Sequence, residues 1–144
     1  MGGGGGKSRG RRGANASPNP PVLSSREDLD RALRDAAAKA SESDKKKGSL
    51  VVLEFTAEWC TVCQKIAPFW RGLGSDAKVV SADRLVALYT IDVDASPDLT
   101  NSFGASGLPL FVFLVDGKKV DSLVGAQQTA LRKMVLKHAS SSNK

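Results

Sequence analysis

The chain has 144 residues, 41% hydrophobic and 25% charged, with a formal net charge of +6, which is an ordinary composition for a globular protein with one core. No apolar run approaches the roughly 18 residues that a membrane-spanning helix needs. The charge is uneven, because residues 1–21 contain four basic residues and no acidic one, whereas the other 17 basic residues face 15 acidic ones. The net charge therefore does not indicate a nucleic-acid-binding surface.

The first 21 residues, rich in Gly, Arg and Pro, have almost nothing to bury and are predicted to be disordered. Three interpretations of this tail stay open: a plain flexible arm, a transit peptide, or a segment myristoylated at Gly2. A signal peptide would need an apolar central region, which these residues lack. The myristoylation pattern requires Ser or Thr at position 6, where this chain has Gly6. The predicted organisation is a disordered tail over 1–21, one domain over 22–139 and a frayed end over 140–144.

Hydrophobic periodicity and turn residues predict nine elements in the order strand, helix, strand, helix, strand, helix, strand, strand, helix. Their predicted ranges are 22–23, 26–40, 50–55, 61–72, 85–91, 97–103, 108–115, 118–124 and 129–137. Strands that alternate with helices predict a parallel core, and Asp116-Gly117 predicts an antiparallel hairpin near the end. The fold class is therefore α/β, with a mixed sheet between two helical layers.

Both cysteines of the chain, Cys60 and Cys63, lie where the strand at 50–55 leads into the helix at 61–72. A helix N-terminus offers unpaired N–H groups and a partial positive charge, which favour the nucleophilic thiolate over the thiol. A disulfide scaffold would use more cysteines, and a zinc site needs about four ligands, whereas His138 is the only histidine. The spacing thus favours redox chemistry, with two core thiols or half of a metal site shared between chains as the alternatives.

Glu54 interrupts the apolar run that leads to the cysteines. From strand alternation alone, it is equally consistent with a solvent-facing residue and with a buried functional one. A buried carboxyl without a partner has a raised pKa, which suits proton transfer near neutral pH.

Six features in order carry a resemblance to a known family. They are Phe-Thr-Ala-Glu-Trp-Cys at 55–60, Pro68 five residues after Cys63, Asp94, Leu108-Pro109, Asp116-Gly117 and Val124-Gly125-Ala126. With them, the sequence over about 22–138 resembles the thioredoxin family, and the eukaryotic cytosolic type in particular. The resemblance implies a three-layer α/β/α sandwich with a mixed central sheet, and a thiol–disulfide oxidoreductase that reduces protein disulfides without a cofactor or a metal.

The resemblance also implies the roles of individual residues. Cys60 is the expected attacking nucleophile, Cys63 the resolving thiol, and Glu54 the group that transfers the proton of the resolving thiol. The expected substrate-binding residues are Trp59, Thr61, Val62, Leu108, Pro109, Gly125 and Ala126. Among these, Pro109 is expected to be cis and to face the cysteine pair, and Leu108 is expected to offer backbone hydrogen bonds to a substrate strand.

Three residues depart from the family pattern. Thr61-Val62 stands where thioredoxins usually have Gly-Pro, Glu54 replaces an Asp, and Thr90 occupies a position where many members have a Lys. The Thr61 hydroxyl and the Val62 N–H are potential donors to the Cys60 thiolate, and both would favour the reduced form. We therefore predict a reduction potential less negative than the roughly −270 mV of thioredoxin.

The expected partners are disulfide-containing target proteins and a separate thioredoxin reductase or dithiol donor, with no nucleic acid, no stable membrane association and a monomeric state. The expected location is the cytoplasm, or a plastid or other organelle if residues 1–21 act as a transit peptide. Two other functions stay open: a thioredoxin-fold binding module or holdase with little redox turnover, and a more oxidising or isomerase-like protein of an organelle.

Overall fold

The computed structural model describes residues 19–141, which form four strands and five helices. In chain order these elements are α1 (Arg26–Ser41), β1 (Ser49–Thr56), α2 (Thr61–Leu73), α3 (Ala77–Val80), β2 (Leu85–Asp92), α4 (Pro97–Ser102), β3 (Leu110–Val115), β4 (Lys118–Val124) and α5 (Gln128–Ala139). Most of the predicted tail and of the predicted frayed end lies outside the described residues. The domain boundaries at 22 and 139 therefore stay predictions.

The four strands form one mixed sheet in the order β2-β1-β3-β4. Strand β1 pairs parallel with β2 and antiparallel with β3, and β3 pairs antiparallel with β4. Seven of the eight residues of β1 are buried, which explains why this strand reads as an almost continuous apolar run. The predicted α/β fold with a mixed central sheet is confirmed.

Helices cover both faces of the sheet, because the inward residues of β1 alternate between two cores. Val51, Leu53 and Phe55 belong to a core that includes the apolar faces of α1 and α4. Leu50 and Val52 belong to a second core, which includes the inner faces of α2, α3 and α5. Glu54 follows Leu50 and Val52 at a spacing of two, so it lies on the same side of the sheet as α2.

The predicted hairpin is confirmed at Asp116-Gly117, where both residues have positive φ, 50° and 85°. Two residues in this conformation match the right-handed twist of the flanking strands. Helix α3 was not predicted, because its four residues are too few for a periodic pattern. Asp76 caps it by accepting a hydrogen bond from the Lys78 N–H at 2.9 Å, and the Arg132 guanidinium holds Asp76 at 2.7 Å.

The predicted strand at 22–23 is reduced to one parallel bridge between Val22 and Thr90. The Thr90 N–H donates to the Pro21 carbonyl, and the Thr90 carbonyl accepts from the Leu23 N–H, both at 2.9 Å. These two hydrogen bonds attach the N-terminal segment to the free edge of β2.

Candidate active site

Cys60 and Cys63 are joined by a disulfide at the beginning of α2, with their Cα atoms 5.3 Å apart. The chain reaches this point through a tight turn, in which the Cys60 N–H donates to the Ala57 carbonyl at 3.1 Å. Cys60 is the N-cap of α2 and has extended backbone angles, whereas Cys63 lies in the first helical turn. The two sulfur atoms therefore meet where the unpaired N–H groups of the helix are concentrated.

The helix N-terminus acts directly on Cys60, because the Cys63 N–H donates to the Cys60 Sγ at 3.2 Å. The same donor would stabilise a thiolate on Cys60 after reduction, together with the partial positive charge of the helix. Cys60 is 8% exposed and Cys63 is 3% exposed. Cys60 is therefore the more exposed residue of the pair.

Thr61 and Val62, the dipeptide between the cysteines, both face solvent. In this oxidised structure the donor to the Cys60 Sγ is the Cys63 N–H. The proposed hydrogen bonds from the Thr61 hydroxyl and the Val62 N–H concern the reduced form and stay predictions.

A small apolar cluster surrounds the disulfide. Ala57 is buried with the two cysteines, and Val93 and Leu108 pack against them. The peptide bond between Leu108 and Pro109 is cis, as the resemblance implies. The Gly125 N–H donates to the Pro109 carbonyl at 2.8 Å, which ties the end of β4 to the loop before β3.

Trp59 is the most exposed large apolar residue among those that the structure describes, at 67%. Its indole N–H donates to an Asp94 carboxylate oxygen at 2.8 Å, so the ring is held in place although it faces solvent. Val62 is 45% exposed close by on α2, and Gly125 and Ala126 are half-buried. An exposed aromatic ring on the residue before Cys60 suits the docking of another chain.

Glu54 is buried, at 3% exposure, so the solvent-facing alternative is wrong. Burial raises the pKa of its carboxyl from 4.5 to about 7, against a hydrogen bond from Thr90 and the charge of Arg71, which lower the pKa. The carboxyl lines a cleft of about 430 Å³ that also reaches Cys63. A cleft of this volume has room for several water molecules.

Sequence reasoning missed the second half of this cleft. Trp70 and Arg71 of α2 line it, and Asn19 and Pro20 do so from the N-terminal segment. Trp70 itself is buried. No signal in the sequence indicated that the N-terminal segment would form a wall of the site.

Within residues 19–141, no group of three or more His, Cys, Asp or Glu side chains is placed to hold a metal ion. The same part of the chain contains no helix that is both long and apolar enough to cross a membrane.

The family model described as Thioredoxin matches residues 35–137. Thioredoxin H4 of Arabidopsis thaliana is 38% identical over 100 residues, which are 69% of this chain and 76% of that protein. Thioredoxin H4-2 of rice (Oryza sativa subsp. japonica) is 35% identical over 117 residues, 81% of this chain and 78% of that protein. The crystal structure of a poplar wild-type thioredoxin h matches with a TM-score of 0.67 and 32% identity, covering 81% of this chain and 93% of that one.

Proposed function

The chain belongs to the thioredoxin family and is a thiol–disulfide oxidoreductase, and we propose that it reduces disulfides of other proteins with Cys60 as the nucleophile and Cys63 as the resolving thiol. The observation that carries this assignment is the Cys60–Cys63 pair at the N-terminus of α2, with Cys60 the more exposed residue of the two. Thioredoxins act on disulfide-containing targets and are in turn reduced by thioredoxin reductase.

The reaction begins with the reduced dithiol. The Cys60 thiolate attacks one sulfur of the target disulfide, forms a Cys60–target mixed disulfide and expels the other target sulfur as a thiolate, which takes up a proton. Cys63 then loses its proton and attacks the Cys60 sulfur. This second step forms the Cys60–Cys63 disulfide and releases the second target thiol, so two electrons have passed from the dithiol to the target.

Glu54 is the group that accepts the Cys63 proton in the second step. Three observations support this role: the carboxyl is buried, it shares a cleft with Cys63, and its pKa of about 7 matches the pH at which it must exchange a proton. In the reverse direction, reduction of the disulfide returns that proton to Cys63.

Turnover of insulin tests the proposal. The full chain, supplied with dithiothreitol or with a thioredoxin reductase and its electron donor, is expected to accelerate the reduction of insulin disulfides over the donor alone. Failure to turn over with every donor would overturn the reductase function and favour the alternative of a binding module.

Docking through Trp59 gives a second expectation. Trp59→Ala removes an exposed aromatic ring beside the disulfide. Aromatic side chains that become buried when two proteins bind carry much of the binding energy of the interface. We expect the KM for insulin to rise roughly tenfold. The rate with a small aromatic disulfide, which needs no docking surface, is expected to stay near that of wild type. An equal loss of kcat/KM with insulin and with the small disulfide would contradict a docking role for Trp59.

The dipeptide Thr61-Val62 is proposed to set the reduction potential, through donors that stabilise the reduced form. We expect equilibration against a glutathione buffer to give a potential less negative than about −270 mV. The matched control is the double variant Thr61→Gly/Val62→Pro, which restores the family's dipeptide and should make the potential more negative by roughly 30 mV or more, equivalent to about 1.4 kcal/mol. A wild-type potential at or below about −270 mV, or one equal to the control, would contradict the prediction.

We also propose that the protein works as a monomer in the cytoplasm, where thiols are kept reduced and net reduction of targets is the favoured direction. Fluorescent fusions of the full chain and of a form that starts at Val22 test the location. Localisation of the full chain, but not of the shortened form, to an organelle would show that the first 21 residues are a targeting sequence.

A further inference from the structure

Thr90 lies directly opposite Glu54 in the parallel pairing of β1 with β2. Its hydroxyl donates to the Glu54 Oε1 at 3.4 Å, and both residues line the cleft that reaches Cys63. Many members of the family have a Lys at this position, so a neutral donor stands here in place of a charged one.

Trp70 donates to the same hydroxyl, and an ionised Glu54 carboxyl can only accept from it. The Trp70 indole Nε1 is 3.0 Å from the Thr90 Oγ1, and an indole N–H can only donate. The Thr90 oxygen must therefore accept from Trp70, which leaves the single hydroxyl proton free to point at the Glu54 carboxyl. The result is a chain of donors from α2 through β2 to the buried acid of β1.

The backbone of Thr90 is held as firmly as its side chain. Its N–H donates to the Pro21 carbonyl and its carbonyl accepts from the Leu23 N–H, both at 2.9 Å. The backbone of Thr90 is thus held by the N-terminal segment and by β1, and a rotation of its hydroxyl away from Glu54 would disturb the hydrogen bond with Trp70.

We propose that Thr90 is a positioning residue whose hydroxyl, oriented by the Trp70 indole, holds and stabilises the Glu54 carboxylate in the cleft that reaches Cys63. This inference rests on the proposed role of Glu54 in proton transfer. A donor to the ionised carboxyl counteracts burial, which favours the neutral acid. Without it, a larger fraction of Glu54 would be protonated at neutral pH, and less carboxylate would be available to accept the Cys63 proton.

Three other charged groups line the same cleft: Arg71 on α2, Glu58 after β1 and Asp92 at the end of β2. The charge of Arg71 lowers the pKa of Glu54 alongside the Thr90 hydrogen bond. Substitutions at Thr90 and Trp70 leave all three groups in place, so they isolate the contribution of the hydrogen bonds.

The test is a pH titration of the Glu54 carboxyl carbon by NMR in the oxidised, full-length protein, with Glu54→Gln identifying the resonance. Thr90→Val removes the hydroxyl at nearly constant shape and keeps a β-branched residue in the strand. We expect the titration midpoint to rise by about one pH unit, because hydrogen bonds to charged groups are among the stronger ones. Thr90→Ser keeps the donor and is expected to titrate as wild type does.

Trp70→Phe supplies a second measurement. It should also raise the midpoint, because the Thr90 hydroxyl loses the donor that orients it. The double variant Trp70→Phe/Thr90→Val should titrate no higher than Thr90→Val alone, since Trp70 acts through the hydroxyl. Circular dichroism checks the fold, and if Trp70→Phe does not fold, the comparison of Thr90→Val with Thr90→Ser decides.

Equal midpoints for Thr90→Val and Thr90→Ser would overturn the proposal, and so would additive shifts in the double variant. The titration uses oxidised protein and needs no turnover. A chain that fails to reduce insulin but shows the expected shifts would contradict the proposed function alone. A chain that reduces insulin normally but shows no shift would contradict the role of Thr90 alone.

Discussion

Cys63→Ser is expected to accumulate a covalent adduct in which Cys60 is disulfide-bonded to a target protein. The Cys60 thiolate can still attack a target disulfide, but no second thiol follows three residues later to release the adduct. Non-reducing electrophoresis and mass spectrometry of the variant after incubation with insulin should show the adduct, and dithiothreitol should reduce its disulfide and release the target. The variant should complete almost no catalytic cycles.

Cys60→Ser is expected to lose insulin turnover by at least about 10³-fold, equivalent to roughly 4 kcal/mol in the activation barrier. A serine hydroxyl is not ionised near neutral pH, so the helix N-terminus has no thiolate to stabilise. The double variant Cys60→Ser/Cys63→Ser is the matched control and should form no adduct. An adduct on Cys63 of Cys60→Ser that is more abundant than the one on Cys60 of Cys63→Ser would reverse the two assignments, and equal amounts would contradict them.

The parts of the fold that could be predicted are those with strong local signals. The run at 50–55 is a strand buried on both faces, and Asp116-Gly117 has the positive φ values that its sequence favours. The cysteine pair was identifiable for the same reason, because the strand, the turn and the helix N-terminus around it each depend on residues that are close together in the sequence.

The parts that could not be predicted depend on contacts between distant residues. Helix α3 exists because Asp76 caps it and is held by Arg132, 56 residues later. Lys46 lies in the polar run Lys45-Lys46-Lys47, yet its ammonium donates to the carbonyls of Val80 and Ala82 at 2.8 and 2.7 Å. Each of these contacts needs the packed structure, since no periodicity brings the partners together.

The burial of Glu54 is the same kind of case. Strand alternation alone left its exposure open, whereas in the structure β1 is covered on both faces and has no solvent side. Its surroundings follow from the register that pairs Glu54 with Thr90 and from the packing of α2 over this part of the sheet. Neither the register nor the helix position could be read from the sequence of β1.

Glu54→Gln is expected to stabilise the oxidised protein above neutral pH. The folded-state pKa of Glu54 is about 7 against an ordinary value of 4.5, so the native state binds more protons than the unfolded state between these pH values. The free energy of unfolding therefore falls as pH rises through this window, by about 3 kcal/mol in total. Glutamine has no charge to bury, and its variant should lack this loss.

Urea unfolding of the oxidised proteins at pH 5, 6, 7 and 8 measures the effect. The curves of wild type and Glu54→Gln should diverge with pH, and the variant should be the more stable at pH 8. Glu42→Gln, at an exposed glutamate, is the matched control and should keep the pH dependence of wild type. Parallel curves for wild type and Glu54→Gln would mean that burial does not raise the pKa of the Glu54 carboxyl.

The same substitution should slow the release of the mixed disulfide, because the Cys63 proton loses its acceptor. A residue whose removal stabilises the fold and impairs one chemical step is kept for that step rather than for stability. Gain of stability with unchanged release of the mixed disulfide would separate the two properties, and would assign Glu54 to no part of the reaction. The pair of measurements therefore tests the burial of Glu54 and its function independently.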